Sequence, residues 1–229
     1  MKNLGIIGGV SWESTAVYYR LINEHIKEQL GGLHSAPIIL FSMNYQELVD
    51  YKNKNQWNKI SDKLCETAIQ LEQAGADSVI LCCNTLHKVA ADIEQSITIP
   101  FLHIVDAAGF RLKKENIQRI GLLGTQFTLE DGFYNARLME KFQIDVILPD
   151  KSSRMTLDSI IYDELCAGVF SEKSKQILMR MMDGLVWQGA QAILLGCTEL
   201  GMLVDSDVYR VPIFDTTVLH VELATSWVI

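Results

Sequence analysis

The chain has 229 residues, 48% of them hydrophobic, and a formal net charge of −8. That length allows one large domain or two small ones with a sizeable buried core. The negative charge argues against a nucleic-acid partner, although a pocket for a small anion can still be locally positive. Neither a membrane-spanning run of roughly 18 apolar residues nor a signal peptide is recognisable, so we expect a cytoplasmic protein without membrane contact.

Strand-like and helix-like segments alternate along the chain. In chain order, strands are predicted near 3–8, 36–43, 77–82, 99–103, 119–123, 144–148, 191–196 and 211–214. Helical patterns lie between them, most clearly at 13–30, 57–74, 127–142, 154–167 and 172–188. Such alternation is typical of parallel sheets covered by helices on both faces, so the expected fold class is α/β.

The first predicted strand is followed by the loop GGVSWES, residues 8–14. Its two glycines allow a tight turn, Ser11 and Ser14 open a helix, and backbone amides near Val10 could help to bind an anion. An ordinary strand–helix turn with an N-cap explains the same residues. The loop is neither GxGxxG nor a Walker loop, so it gives little support to nucleotide binding.

The sequence contains an internal duplication. LGIIGGVSWESTAVYY from Leu4 matches IGLLGTQFTLEDGFYN from Ile120, at an offset of 116 residues. AGADSVILCCNTL from Ala74 matches QGAQAILLGCTEL from Gln188 at an offset of 114, and IPFLH matches VPIFD at 112. Three matches in one order predict two similar Rossmann- or flavodoxin-like α/β domains related by approximate twofold symmetry. Because the tail repeats the segment near 99–110, the predicted domains are 1–97 with 211–229, and 98–210.

The chain has five cysteines, none of them in a CxxC pair. In a reducing cytosol we expect no disulfide, and the spacing predicts no metal site. Cys65 and Cys166 lie in helical patterns without a polar cluster, so we interpret them as small hydrophobic residues. Cys82 should point into the core, because side chains alternate along a strand.

Cys83 and Cys197 are different, since each ends a buried strand at the matching position of its own repeat. Ligands of open α/β sheets bind beyond the carboxyl ends of the strands. If the halves face each other, the two sulfurs look into one cleft from opposite sides. One thiolate could then remove a proton from a carbon while the other thiol protonates the opposite face, which inverts a stereocentre.

The carbanion formed in such a reaction needs fixed hydrogen-bond donors. Each cysteine precedes a predicted helix start, where backbone N–H groups attract a carboxylate. Thr85 and Thr198 can add hydroxyl donors, and Glu199 could orient a substrate ammonium or tune the neighbouring thiol.

Several segments resemble the aspartate/glutamate racemase family, which works without pyridoxal phosphate or another cofactor. They are GGVSWESTAVYYRLIN, LHSAPIIL, CCNTLHKVA, LLGTQFT, LGCTEL and VPIFDTT, in the family's order from Gly5 to about His220. The resemblance implies two α/β domains with the active site between them, usually in a homodimer, acting on small amino-acid substrates. It places the catalytic residues on Cys83 and Cys197. It places substrate contacts on the backbone of Val10 and on Lys52, Asn84, Thr85, Thr198 and Glu199.

The function expected is therefore cofactor-independent racemisation of aspartate, glutamate or both. Relatives of this fold that isomerise maleate, racemise hydantoins or decarboxylate malonates remain alternatives, as does an amino-acid-binding module without turnover. Cys83 and Cys197 could also form a reversible disulfide, which would inactivate the enzyme and not define its purpose. For Lys52, a solvated lysine on a polar loop is the alternative to a contact with a substrate carboxylate.

Overall fold

The computed structural model describes residues 1–204 and 209–229. The strands are β1 (Leu4–Gly8), β2 (Ile38–Ser42), β3 (Ser78–Leu81), β4 (Arg119–Gly124), β5 (Asp145–Ile147), β6 (Ala192–Gly196) and β7 (Ile213–Asp215). The helices are α1 (Trp12–Leu30), α2 (Tyr45–Asn53), α3 (Trp57–Gln73), α4 (Ala90–Ser96), α5 (Ile104–Lys114), α6 (Gln126–Glu130), α7 (Phe133–Phe142), α8 (Lys151–Ser159), α9 (Glu172–Trp187) and α10 (Thr216–Val228). Within the described residues, no helix combines the length and the apolar character that a membrane span needs.

The first compact unit, Met1–Ile104 with His220–Ile229, contains a parallel sheet in the order β2-β1-β3. Leu4 of the central strand pairs with β2 on one side and with β3 on the other. Phe101 extends the sheet beyond β3 through a single parallel bridge to Val79. Every residue of β1 and β3 is buried, as expected for parallel strands covered on both faces.

The second unit, Val105–Leu219, repeats this order as β5-β4-β6-β7, with all neighbouring strands parallel. In it β7 pairs with β6, so it takes the place that Phe101 has in the first unit. Two parallel sheets confirm the predicted α/β fold class. Their shared strand order is the structural counterpart of the duplication in the sequence.

The boundaries of the units differ from the predicted 97/98 and 210/211 and lie after Ile104 and Leu219. Backbone hydrogen bonding gives the reason. The Leu102 N–H donates to the Val79 carbonyl at 2.8 Å, and the Ile193 N–H donates to the Pro212 carbonyl at 2.9 Å. Each of these segments therefore stays with the sheet of its own repeat.

The helices that follow these segments cluster with the other repeat. In α5, Asp106 accepts hydrogen bonds from Arg137 Nη2 at 2.8 Å and Lys141 Nζ at 2.9 Å, both on α7. In α10, Val221 and Val228 belong to the core cluster that also holds side chains of β1 and α1. In the described residues, the segments that join the compact unit of the other repeat are therefore α5 and most of α10.

Two predicted helices are interrupted. The helix predicted over 127–142 divides into α6 and α7 at Gly132, whose φ of 89° favours glycine. The helix predicted over 154–167 begins earlier, where Asp150 caps the N–H groups of Ser152 and Ser153. It ends at Ser159 and continues as a π turn and a short 3-10 turn.

A buried polar contact joins Tyr18 of α1 to His220 of α10. The Tyr18 hydroxyl lies 3.0 Å from Nδ1 of His220, and Nε2 lies 2.6 Å from the Leu102 carbonyl oxygen. Because a carbonyl can only accept, Nε2 carries the hydrogen and Nδ1 accepts from the hydroxyl. Burial lowers the pKa of His220 to about 4, so the ring is neutral at neutral pH.

We expect His220 to make the unfolding free energy fall as the pH drops from 6.5 to 4. In this range the unfolded imidazole, whose ordinary pKa is 6.5, binds a proton that the folded ring does not bind. Stability therefore rises with pH, and the contribution of about 3 kcal/mol present above pH 6.5 is lost as the pH falls through 4. Urea unfolding at pH 7, 5 and 4 of the wild type and of His220→Gln measures it. The same pH dependence in both proteins would contradict it.

Asp215 affects the unfolding free energy with the opposite sign in part of this pH range. Its pKa is raised from 3.8 to about 6 in the folded protein, so its contribution is lost as the pH rises from 3.8 through 6. Wild type and His220→Gln share this contribution, and the difference between the two proteins therefore isolates His220.

Candidate active site

Cys83 lies just beyond the carboxyl end of β3, and its side chain is half-buried. The Cys82 N–H still donates to Ile7 of β1 at 3.0 Å, whereas the Cys83 N–H turns back to Leu81 at 2.9 Å. The chain therefore leaves the sheet at Cys83. Cys82 is buried in the cluster on the other face, where burial raises the pKa of its thiol, and its predicted core role is confirmed.

His87 holds the turn that carries Cys83. It lies in a 3-10 turn, Thr85–Val89, and its Nδ1 is 2.7 Å from the Cys83 carbonyl oxygen. Its Nε2 is 3.3 Å from the Ile104 N–H. Nδ1 therefore carries the hydrogen and donates, while Nε2 accepts, so the ring is neutral. Sequence reasoning did not assign this role, and the only signal was a histidine four residues after Cys83.

Cys197 directly follows Gly196, the last residue of β6, and is half-buried. Its sulfur donates to Oε2 of Glu199 at 2.9 Å. Burial and the Glu199 carboxylate raise the pKa of the Cys197 thiol well above its ordinary value, because both disfavour a further negative charge. Cys197 therefore keeps its proton at neutral pH.

Cys166 differs from its prediction as a small hydrophobic residue. It is exposed, and its sulfur lies 4.0 Å from Oε1 of Glu199, the oxygen that Cys197 does not use. The reason is the early end of α8 at Ser159, after which the chain continues through a π turn to the 3-10 turn that carries Cys166. Cys65 is half-buried and packs against the core of the first unit.

The segments that follow the two thiols carry different side chains at equivalent positions of the two repeats. At the offset of 114, His87 corresponds to Gly201, and at the offset of 112, His103 corresponds to Asp215. In the first unit the two imidazole rings lie 4.5 Å apart, centroid to centroid. In the second unit the Asp215 carboxylate packs against Gly201, where a methyl group would overlap Oδ2. The first unit thus has two imidazoles at the positions where the second unit has Gly201 and the Asp215 carboxylate.

A comparison of the sequence with known protein families identifies the family of the chain. The family model described as Asp/Glu/hydantoin racemase matches residues 7–224. The chain belongs to the Asp/Glu/hydantoin racemase family. The predicted family and the predicted enzyme class, an amino-acid racemase, are thereby confirmed.

Individual relatives agree with this racemase assignment. A Yersinia pestis crystal structure provisionally titled an Asp/Glu racemase is 48% identical, with a TM-score of 0.95 over 100% of this chain and 99% of its own. An aspartate racemase homologue from Pyrococcus horikoshii is 30% identical, with a TM-score of 0.89 over 100% and 99% of the two chains. The broad-specificity amino-acid racemase of Bacillus subtilis is 22% identical, over 93% of this chain and 92% of its own.

The other predicted site residues of this racemase lie around the thiols in two groups. Asn84 is buried and Thr85 half-buried, both directly after Cys83. Thr198 and Glu199 are half-buried and directly follow Cys197. The helix starts expected after the cysteines are short 3-10 turns, because the chain enters α4 only at Ala90 and forms no longer helix within 197–204.

Val10 and Lys52 lie in the first unit. Val10 is buried in the turn between β1 and α1, where Ser11 caps the helix by accepting from the Ser14 N–H at 3.3 Å. Gly9 precedes it with a φ of 79°, and a side chain there would overlap the backbone of Met43. Lys52 is half-buried in the last turn of α2, whereas the sequence suggested a polar loop.

Proposed function

We propose that this protein interconverts the L- and D-enantiomers of aspartate, glutamate or both, with Cys83 and Cys197 as its two acid–base groups and without a cofactor. One observation carries the proposal. The strands β3 and β6 have corresponding places in the two sheets, and each is followed by a half-buried cysteine, Cys83 and Cys197. The family description supplies the reaction type. The relatives named as an aspartate racemase homologue and a broad-specificity amino-acid racemase support an amino-acid substrate.

In the proposed reaction one sulfur, as a thiolate, takes the α-hydrogen as a proton, and the C–H electron pair stays on the α-carbon. The other sulfur, as a thiol, gives its proton to the opposite face and becomes the thiolate. The configuration inverts, and the two sulfurs exchange protonation states. This chemistry requires both sulfurs to reach the same α-carbon.

The carbanion beside the substrate carboxylate needs donors that are already in place. We assign this role to Asn84, Thr85 and Thr198, which adjoin the thiols, and to the backbone of Val10. Glu199 is assigned to the substrate ammonium. An ammonium there would offset the carboxylate that now raises the pKa of Cys197, and would ease loss of the Cys197 proton.

Lys52 is proposed to bind the distal carboxylate of aspartate or glutamate. We expect Lys52→Gln to raise KM for these substrates about 10-fold or more, because a charge-assisted hydrogen bond is lost. Steady-state kinetics measures it, with Lys54→Gln as the matched control, since Lys54 follows α2 immediately. Equal KM values in the wild type and Lys52→Gln would remove Lys52 from the site.

Circular-dichroism polarimetry of the reduced protein tests the function directly. L-Asp, L-Glu and a panel of other L-amino acids are each incubated with it, without added pyridoxal phosphate. Decay of the signal to zero with an acidic amino acid is the expected result. No decay with any amino acid, in protein shown to be folded, would contradict the proposal. Hydantoins, which the family description includes, and maleate and malonates would then be tested next.

We also propose that the chain works as a homodimer. The first unit exposes Trp12 and Tyr19 on α1 and Leu40 and Phe41 on β2 to solvent, with 68%, 54%, 44% and 40% of their surface accessible. Large apolar side chains at a surface favour association. Light scattering coupled to size-exclusion chromatography should give twice the chain mass, and a monomer at assay concentration would contradict it.

A further inference from the structure

Cys166 and Cys197 contact the two oxygens of one carboxylate in the second unit. The Cys197 sulfur donates to Oε2 of Glu199 at 2.9 Å, and the Cys166 sulfur lies 4.0 Å from Oε1 of the same side chain. The tertiary structure therefore brings two thiols that are distant in the sequence to one point.

The two thiols differ in their access to solvent. Cys166 is exposed, whereas Cys197 is half-buried and donates to Glu199. An oxidant in solution oxidises an accessible thiolate to a sulfenic acid, and a neighbouring thiol then converts the sulfenic acid to a disulfide. Cys166 is therefore the thiol of this pair that an oxidant reaches first, and Cys197 is placed to be the second.

Cys166 also lies in the part of the pair that can adjust its position. After α8 the chain forms a π turn, Ile160–Glu164, and a 3-10 turn, Leu165–Ala167, and then reaches Gly168 with a φ of 74°. Short turns have poorer hydrogen-bond geometry than an α-helix and open at a lower free-energy cost than core elements. A disulfide brings its sulfurs to about 2.05 Å. We expect this segment to move for that, because Cys197 directly follows the buried strand β6.

We propose that Cys166 is an oxidation site that forms a reversible disulfide with Cys197. The Cys166 thiolate attacks hydrogen peroxide, so that an S–O bond forms, the O–O bond breaks and hydroxide leaves. The Cys197 sulfur gives its proton to Glu199 and attacks the Cys166 sulfur. The S–S bond forms, the S–O bond breaks, and the departing hydroxide takes up a proton. Two thiols are oxidised, and one peroxide is reduced to two waters.

The disulfide would occupy the Cys197 sulfur, which is one of the two acid–base groups of the proposed function. Racemisation would then stop until a thiol reductant restored both sulfurs, and this consequence rests on the proposed function. Oxidation of a cysteine to the sulfonic acid is irreversible. The disulfide would therefore also protect Cys197 from permanent loss.

Peptide mass spectrometry tests the disulfide without any substrate. The reduced protein is treated with an equimolar amount of hydrogen peroxide, blocked with N-ethylmaleimide and digested with trypsin in the absence of reductant. Trypsin separates the cysteines, because Cys166 lies in the peptide 155–173, Cys197 in 181–210 and the other three in 64–88.

The expected product is the peptide 155–173 linked to 181–210, and it should disappear when dithiothreitol is added. A link between 64–88 and 181–210 in its place would overturn the proposal, because one of the other three cysteines would then be the partner of Cys197. Oxidised Cys197 without a linked peptide would also overturn it.

Cys166→Ser connects the disulfide to activity. The reduced variant should keep wild-type racemisation, since Cys166 has no place in the proposed chemistry. Peroxide should inactivate the wild type reversibly, whereas the variant should lose activity at least about 10-fold more slowly and recover none of it with dithiothreitol. Cys65→Ser, a half-buried cysteine in α3, is the matched control and should behave as the wild type. Equal rates of reversible inactivation in the wild type and Cys166→Ser would contradict the inference.

The linked peptide is measured independently of turnover, so the two proposals can fail separately. The link in a protein that racemises no amino acid would support this inference and remove only the proposed function. Racemisation by a protein in which peroxide forms no link between Cys166 and Cys197 would overturn only the inference.

Discussion

Replacing either Cys83 or Cys197 with serine is expected to lower racemisation of the acidic substrate by on the order of 10²–10⁴-fold. Serine keeps the shape of the side chain, but its hydroxyl is too weak an acid to supply either a base or a proton donor. Each sulfur has its own task in either direction, so neither can replace the other. Initial rates by polarimetry from both enantiomers measure the effect.

Cys65→Ser is the control, because this half-buried cysteine lies in α3 and has no place in the proposed chemistry. It should retain wild-type rates. Normal turnover in either Cys83→Ser or Cys197→Ser would end the two-base proposal.

The equilibrium constant of racemisation is one, so kcat/KM must be equal for the two enantiomers in every variant. Any difference between the two thiols therefore appears in kcat and in KM separately.

Exchange of the α-hydrogen with deuterium from solvent separates the two half-reactions. A variant that keeps one thiol can still remove and return a proton on one face. We therefore expect each serine variant to exchange the α-hydrogen of one enantiomer only, with the opposite preference in the other variant. Nuclear magnetic resonance of each pure enantiomer in D₂O would show it. Exchange of both enantiomers in one variant would contradict a division of labour between the faces.

Replacing His87 with alanine is expected to reduce the unfolding free energy by about 3–4 kcal/mol and racemisation at least 10-fold. The ring is buried, so its loss leaves a cavity as well as an unpaired Cys83 carbonyl and Ile104 N–H. The turn that carries Cys83 then loses its fixed position. Urea unfolding and polarimetry measure the two effects, with the exposed His34→Ala as a control for both.

Two conservative variants separate the positioning role of His87 from its contribution to stability. In His87→Asn the amide N–H can take the place of Nδ1 and donate to Cys83, whereas in His87→Gln the amide oxygen can take the place of Nε2 and accept from Ile104. We expect Asn to recover more racemisation than Gln at equal stability. If Asn recovers no more activity than Gln, the hydrogen bond to the Cys83 carbonyl does not position the thiol.

Much of the fold could be predicted from local sequence. Apolar runs such as Ser78–Leu81 and Ala192–Gly196 alternate with helical periodicity, and this pattern directly reflects strands buried on both faces. The duplication added the equivalence of Cys83 and Cys197. The division of the helix predicted over 127–142 was less predictable, because the positive φ of one residue, Gly132, interrupts an otherwise continuous helical pattern.

The α/β class, the family and the position of both thiols at strand ends could be predicted from the sequence, because they follow from apolar periodicity and from short motifs that can be read along the chain. Which distant groups pack around the loops after those thiols depends on the tertiary structure. His87 reaches Ile104, Cys166 approaches Glu199, and Asp215 fills the space at Gly201. It also decided that α5 and most of α10 cluster with the other repeat. These contacts depend on how helices pack after the strands are paired, and no local periodicity encodes that packing.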